Sequence, residues 1–391
     1  MSLQEKSGGF TATRADDAYP YVYPRDAVFM TMALNAVSES ERSKNFYRFL
    51  KGLRRPKGEF YQRYNAGMPY VTNEHELDTT PIVLQGVYDT YSKSRDADFL
   101  REMWSLVEEC ASFTVKTIDA EAGLVYTTNA IHENRELEEG FEIWTNCAAA
   151  RGLLDAASMA EAMGRQELRE EWVGRARTLL AWVWEKLYDV ELGSFVKVMR
   201  RSGEVVRAPD MSVLAPFYFG LSQDSRVLES TLGRLKSSLW NKQIGGFNRF
   251  QDFEVVHDWH WYTGGTGASW PFFTIWAARF YRQLGMKENE EECFGFLDSV
   301  VTSNLLIPEK VAPIEGYMLW KEKELEFSDR ILNGVRKIEQ GAHSIRFPGY
   351  VCWACPLGWA HAEYVLLEKG VTPSVQNLLG DVSNTPRIKV A

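Results

Sequence analysis

Apolar residues along this chain gather into two alternating kinds of segment. The first kind comprises PRDAVFMTMALNAV from Pro24, TPIVLQGVYDTY from Thr80 and IWTNCAAARGLLDAASMA from Ile143. It continues with DMSVLAPFYFGL from Asp210, SWPFFTIWAARFY from Ser269 and LGWAHAEYVLL from Leu357. These segments are apolar over most of a helical circumference, the pattern of helices buried on all sides. The second kind follows most of them, at 39–53, 96–118, 165–187, 223–239 and 286–303, and is charged with one apolar stripe. REEWVGRARTLLAWVWEKL shows that stripe at the 3.6-residue helical period. Starts of the buried segments are spaced by 56, 63, 67, 59 and 88 residues.

A repeat of about sixty residues that alternates buried and half-buried helices predicts stacked helical hairpins. Six hairpins closing into a ring make an all-α (α/α)6 barrel, with the buried helices inside and the amphipathic ones outside. The sixth outer helix has the weakest signal: after Gly370 the chain offers TPSVQNLLG, or an inserted segment such as 328–339 substitutes. No Pro/Gly/Ser-rich linker divides the sequence, so residues 1–391 read as a single domain. The segments ahead of the inner helices (54–79, 120–142, 188–209, 240–268 and 304–356) are long and rich in aromatics. In such a ring they emerge on one face, and long loops in a compact domain usually carry function.

Composition narrows the class. The chain is 45% hydrophobic and 25% charged with 13 tryptophans, which suits a large-cored globular enzyme. A net charge of −9 argues against a nucleic-acid partner, which needs a basic footprint. There is no 18-residue apolar run to span a membrane, and MSLQEKSGG has no apolar stretch of a signal peptide. Five scattered cysteines, odd in number, fit a reducing cytoplasm better than a disulfide framework. Cys352 and Cys355 have CxxC spacing without a second pair to complete a zinc site, and read as structural. His257 and His260 are a weak metal pair in an aromatic loop. Neither a metal nor an organic cofactor is expected.

Candidate chemistry sits at the helix entries. DDAYPYVYPRDA places Arg25 and Asp26 at the start of the first inner helix, behind Tyr19, Tyr21 and Tyr23. An Asp at a helix start is commonly just a cap. Beside three tyrosines it gains a second reading, because aromatic faces stack on sugar rings and an Arg–Asp pair can grip two hydroxyls.

YVYPRDA resembles the Tyr-rich W-P-R-D segment of glycoside hydrolase family 15, the glucoamylases and glucodextranases, with Tyr23 in place of Trp. Glu76-Leu77-Asp78 is similar to that family's Q-L-D. GGFNRFQDF followed by WYTGGTGASWPFFTIW resembles G-G-x-x-R-Y…Y-x-G-x-P-W, Ile307-Pro308-Glu309-Lys310 resembles L-P-E-Q, and CPLGWAHAEY resembles L-x-W-S-x-A-E. The resemblance covers 19–367 with its motifs in order. It implies the same (α/α)6 barrel, with Arg25, Asp26 and Arg249 holding sugar hydroxyls and Tyr19, Tyr21, Asp78, Trp144, Trp261 and Trp359 around the substrate.

It also implies inverting hydrolysis by two carboxyls. One donates a proton to the leaving oxygen while the other deprotonates a water between them. Glu309 is the expected base; its bland alternative is a solvated loop glutamate. For the acid, the family carries D-x-W-E, and here Glu142-Ile143-Trp144 matches D-x-W but Thr145 follows. Threonine is no general acid near pH 7. Either Glu142 takes the role, or Glu139 or Glu138 reaches in from the loop, or the acid is absent; Glu142 is the choice carried forward. The functional expectation is an exo-acting α-glucosidase acting with inversion on a small oligosaccharide or other α-glucoside. The alternatives are a catalytically silent sugar-binding barrel and a hydrolase of another linkage with an acid from a different loop.

Overall fold

The computed structural model describes residues 3–15, 17, 19–53, 58–65, 68–69, 76–251, 268–313 and 349–371. Its helices follow the alternation of the sequence. An inner ring is formed by α1 (Pro24–Ala36), α3 (Thr79–Ser94), α6 (Ile143–Ala162), α8 (Ala215–Tyr218), α10 (Pro271–Leu284) and α12 (Gly358–Glu368). Outside it lie α2 (Ser40–Gly52), α4 (Ala97–Thr117), α7 (Gln166–Leu187), α9 (Ser225–Leu239) and α11 (Lys287–Val300). A one-turn helix, α5 (Arg135–Glu138), sits in the loop before α6. The ring closes because α1 packs on both α3 and α12. The fold is an (α/α)6 barrel.

Local chemistry sets where these helices begin and end. Pro24 and Pro271 occupy the first position of α1 and α10, where a missing N–H costs nothing. Asp96 and Asp224 accept from the first free N–H groups of α4 and α9. The fourth inner segment is much shorter than its apolar run predicts. Pro216 cannot donate to the preceding turn, so Met211–Leu214 winds as a 3₁₀ helix. Gly220, at φ +67°, then turns the chain back, and the Leu221 and Ser222 N–H groups close on Pro216 O at 2.7 and 3.0 Å.

The barrel interior is filled by aromatics. Trp144 of α6 stacks on Trp276 of α10 (5.3 Å, 13°), and Phe29 of α1 stacks on Trp359 of α12 (4.9 Å, 4°). Inner helices meet closely at Gly152, where an added Cβ would lie 2.5 Å from Pro81 O.

Short strands, which the helical reading does not anticipate, brace the loops on the face formed by the helix starts. One antiparallel sheet runs in the order 126–127, 140–142, 198–199, 205–206. A hairpin pairs Lys310–Pro313 with Tyr350–Trp353, Lys310 opposite Trp353. Among the described residues no helix is long and apolar enough to cross a membrane. Residues 328–339 and 372–380, the candidates for a sixth outer helix, lie outside the described residues, as do Trp261, His257 and His260.

Candidate active site

Cavities lie at both ends of the inner helices. The larger, about 650 Å³, opens toward the ends of the inner helices and is lined by Met32, Gln85, Asp89, Arg151, Arg279 and Leu366 among others. The smaller, about 60 Å³, lies at their starts, among the long loops. It is the smaller one that gathers the sequence-nominated residues: Tyr19, Arg25, Asp26, Arg249, Glu309 and Trp359 all line it, joined by Tyr23, His132, Glu133 and Trp270.

Arg25 organises one wall. Its guanidinium lies 3.0 Å from Glu76, 3.3 Å from Asp78 and 3.1 Å from Glu133, with Asp26 at 3.6 Å. Four carboxyls around one guanidinium leave excess negative charge. Burial pushes the Asp26 carboxyl up to about 7, with the nearby Glu133 and Asp78 adding to the effect against the pull of Arg25. Arg25 Nε and Asp26 Oδ1 face each other at 3.6 Å, just beyond hydrogen-bond length, and neither makes another hydrogen bond among the described residues. A buried donor and acceptor so placed suit a sugar hydroxyl, which both accepts and donates.

Aromatic residues complete the walls. Trp359 donates from its indole N–H to Glu363 (3.0 Å), which is itself gripped by Arg279 and the Tyr218 hydroxyl. Arg249 lies 4.3 Å over the Trp270 ring, and the Tyr19 hydroxyl accepts from Trp353 Nε1 at 3.0 Å. Tyr21, Asp78 and Trp144 do not line the cavity. Asp78 stands behind Arg25 and accepts the Trp144 indole N–H at 2.8 Å. Tyr21 packs against Arg63.

Glu309 is held by the hairpin. Its backbone N–H donates to Trp353 O and Ala354 O at 3.1 and 3.0 Å, and Val311, two residues on, exchanges both backbone hydrogen bonds with Ser269. Burial raises the Glu309 carboxyl to about 7 against the pull of Lys310 and Arg249, and the charges of Glu133 and Asp26 push it further. Lys310, where the family resemblance would place Gln, is buried and depressed well below the ordinary lysine value. Burial there opposes charge more strongly than Glu309 favours it.

The other nominated carboxyl has a different environment. Glu142 is fully buried, caps α6 by accepting from Trp144 N (2.9 Å) and Thr145 N (2.8 Å), and contacts Lys197 Nζ at 3.1 Å. All its partners are donors, and it does not line the cavity. Glu138 is likewise buried and consumed by backbone donors, while Glu139 pairs with Arg135 near the surface. The carboxyl that does reach the cavity from this loop is Glu133, in NAIHENRE, with its side chain one-third exposed. Motif comparison passes over it because the D-x-W-E pattern directs attention to the residue after Trp144, downstream of this turn. The signal available was an acid in a long loop of the helix-start face. Neighbouring His132, also on the cavity, is held neutral, burial lowering it to about 4 despite Asp210 at 2.9 Å.

Cys352 and Cys355 are buried free thiols. No group of three metal-ligating side chains occurs among the described residues.

Comparison with known proteins agrees with this architecture. Residues 128–319 match the family model of the mannosylglycerate hydrolase MGH1-like glycoside hydrolase domain. That match points to family 63 rather than to the family 15 of the motif resemblance, and it supports a glycosidase. An uncharacterised glycosyl hydrolase of Methanocaldococcus jannaschii is 22% identical over 286 residues, 73% of this chain and 43% of that protein. The chain thus spans less than half of that relative. Among solved structures, a bacterial glucoamylase complexed with acarbose superposes with TM-score 0.69 at 18% identity, covering 95% of this chain and 54% of that one. A family 63 mannosylglycerate hydrolase from Thermus thermophilus in complex with glucose gives 0.60 at 13% identity, covering 93% and 97%. A wild-type glycosidase gives 0.67 at 15%, covering 94% and 92%. These likenesses carry the barrel fold.

Proposed function

We propose that this chain is an exo-acting, inverting glycoside hydrolase of short α-glucosides, with Glu309 as general base and Glu133 as general acid. The observation that carries the reading is that both carboxyls line one small cavity at the helix-start face, together with Arg25, Asp26 and Trp359. Inversion needs two carboxyls flanking the scissile bond with room for a water. Glu309, raised to about 7, is a base matched to neutral pH. The acid must arrive protonated, and in the Arg25 cluster of four carboxyls around one guanidinium burial lifts Glu76 well above its ordinary value and Asp26 to about 7, so protons are held on carboxyls that share Arg25 with Glu133. Glu133 is its most exposed member and the one able to meet a leaving group.

The cavity is narrow, about 60 Å³, and closed in by Trp270, Trp359 and Tyr19. That favours attack at a chain end and a small aglycone. Names of similar proteins add mannosylglycerate to the candidates, so the substrate panel is maltose, isomaltose, trehalose, glucosylglycerate and mannosylglycerate. Thr145 after Trp144 no longer argues for a silent binder, because the acid of this reading comes from another turn. The test is hydrolysis of that panel with the released anomer followed by NMR. Release of the β-anomer from an α-linked substrate supports the reading, release of the α-anomer overturns inversion, and binding without turnover overturns the enzyme. Single-domain organisation over 1–391 forms part of the same proposal.

A further inference from the structure

Backbone groups of the turn that carries Glu133 find partners on two sides. Ala130 N and Asn134 N donate to Glu138 Oε2 at 2.8 and 3.2 Å, and His132 N donates to Glu138 Oε1 at 2.8 Å. Lys197 Nζ lies 3.2 Å from that same oxygen and 3.1 Å from both Glu142 and Ser212. On the carbonyl side, Ala130 O accepts from Arg25 Nη1 at 3.3 Å and His132 O from Arg249 Nη2 at 3.5 Å. The turn is therefore held from two sides, with a buried carboxylate gripping its N–H groups and the two cavity arginines gripping its carbonyls. Glu133 itself sits at φ +55°, a left-handed conformation unfavourable for a residue with a side chain. Such a conformation persists only where the surroundings over-determine it.

We infer that Glu138 is a positioning residue: its carboxylate, anchored by Lys197, fixes the 130–134 turn and thereby places the Glu133 carboxyl against the leaving group. This rests on the assignment of Glu133 as the general acid. Glu138 is fully buried and absent from the cavity lining, so it reaches the cavity through the turn and not by direct contact. An amide there would present an NH₂ group to donors on all sides. Either the Ala130 and Asn134 N–H groups or the His132 N–H together with Lys197 would lose their acceptor, and the turn would be free to relax out of its strained conformation.

Leaving-group dependence tests this. Fluoride departs with little proton assistance, whereas an alkoxide needs it, so α-glucosyl fluoride and methyl α-glucoside report on the acid separately. In Glu138→Gln, turnover of methyl α-glucoside should fall by about 100-fold while that of α-glucosyl fluoride falls by less than about 5-fold. Glu138→Asp keeps the charge facing Lys197 and should show the same split at about tenfold; it carries the test if the Gln variant does not fold. Equal losses on both substrates, or no loss on either, overturn the positioning role. Glu133→Gln is the control: if it shows no split, the assignment of the acid fails. A split in Glu133→Gln without one in either Glu138 variant refutes the positioning role alone.

Discussion

Glu133 Oε1 lies 3.1 Å from Arg25 Nη2, so the guanidinium assigned to substrate binding also holds the carboxyl proposed to protonate the leaving group. The proposed mechanism requires the sugar to compete for that guanidinium and so free Glu133 for the glycosidic oxygen. Glu133→Gln should therefore lower kcat on alkyl α-glucosides by about 10²–10⁴-fold. Calorimetric affinity for glucose should change by no more than about 3-fold, because the glutamine keeps the shape and a carbonyl acceptor for Arg25. Unchanged kcat would remove Glu133 from the mechanism.

Glu142 gives the converse outcome. Its oxygens cap α6 and face Lys197 in a fully buried setting. Glu142→Gln loses a charged acceptor for two N–H groups and unbalances Lys197, so it should cost about 1–3 kcal/mol of stability in denaturant unfolding. Residual activity per folded molecule should show no preference for α-glucosyl fluoride over alkyl glucosides. A leaving-group split in this variant would restore Glu142 as the acid.

As the proposed general base, Glu309 should set the acid side of the pH profile. A general base works only when ionised, and this one is raised to about 7 by burial. In the free enzyme kcat/KM should fall about tenfold per pH unit below that value, and the limb should vanish with the residual rate of Glu309→Gln. A limb centred near 4.5, the ordinary glutamate value, would mean that Glu309 is solvated and is not the base.

Most of the architecture is legible in the sequence because burial writes itself into it. Helices apolar all round became the inner ring, and those with one stripe became the outer one. The fourth inner segment misleads because its apolar run contains Pro216 and Gly220, whose backbone limits override its hydrophobicity. The candidate site's location is legible too, since Arg25 and Asp26 at a helix start and Glu309 in a long loop line one cavity. The identity of the acid is not. Glu133, Glu138, Glu139 and Glu142 share one loop, and their fates depend on partners brought from elsewhere. Lys197, 55 residues from Glu142, and Arg25, 108 residues from Glu133, decide which carboxyl is spent on structure and which faces the cavity. Local order carries no trace of those pairings.

Asp26 offers a stability test of the same cluster. Its folded value of about 7 lies above the ordinary 3.8, so the native state holds its proton more tightly than the unfolded chain does. The stability this contributes is fully present below 3.8, declines as pH rises, and is lost once pH passes about 7. Asp26→Asn removes the ionisation, while Arg25 keeps Glu76, Asp78 and Glu133 as partners. Compared with the wild type, the variant should gain on the order of 1–2 kcal/mol at pH 8 and close to nothing at pH 4, measured by denaturant unfolding at both values. It should also bind glucose more weakly, since the open Oδ1 acceptor that suits a sugar hydroxyl would no longer carry charge. A gain of equal size at both pH values would show that Asp26 ionises normally in the folded protein. Glu76, which burial holds well above the ordinary glutamate range, would then be the carboxyl of the Arg25 cluster that keeps a proton at neutral pH.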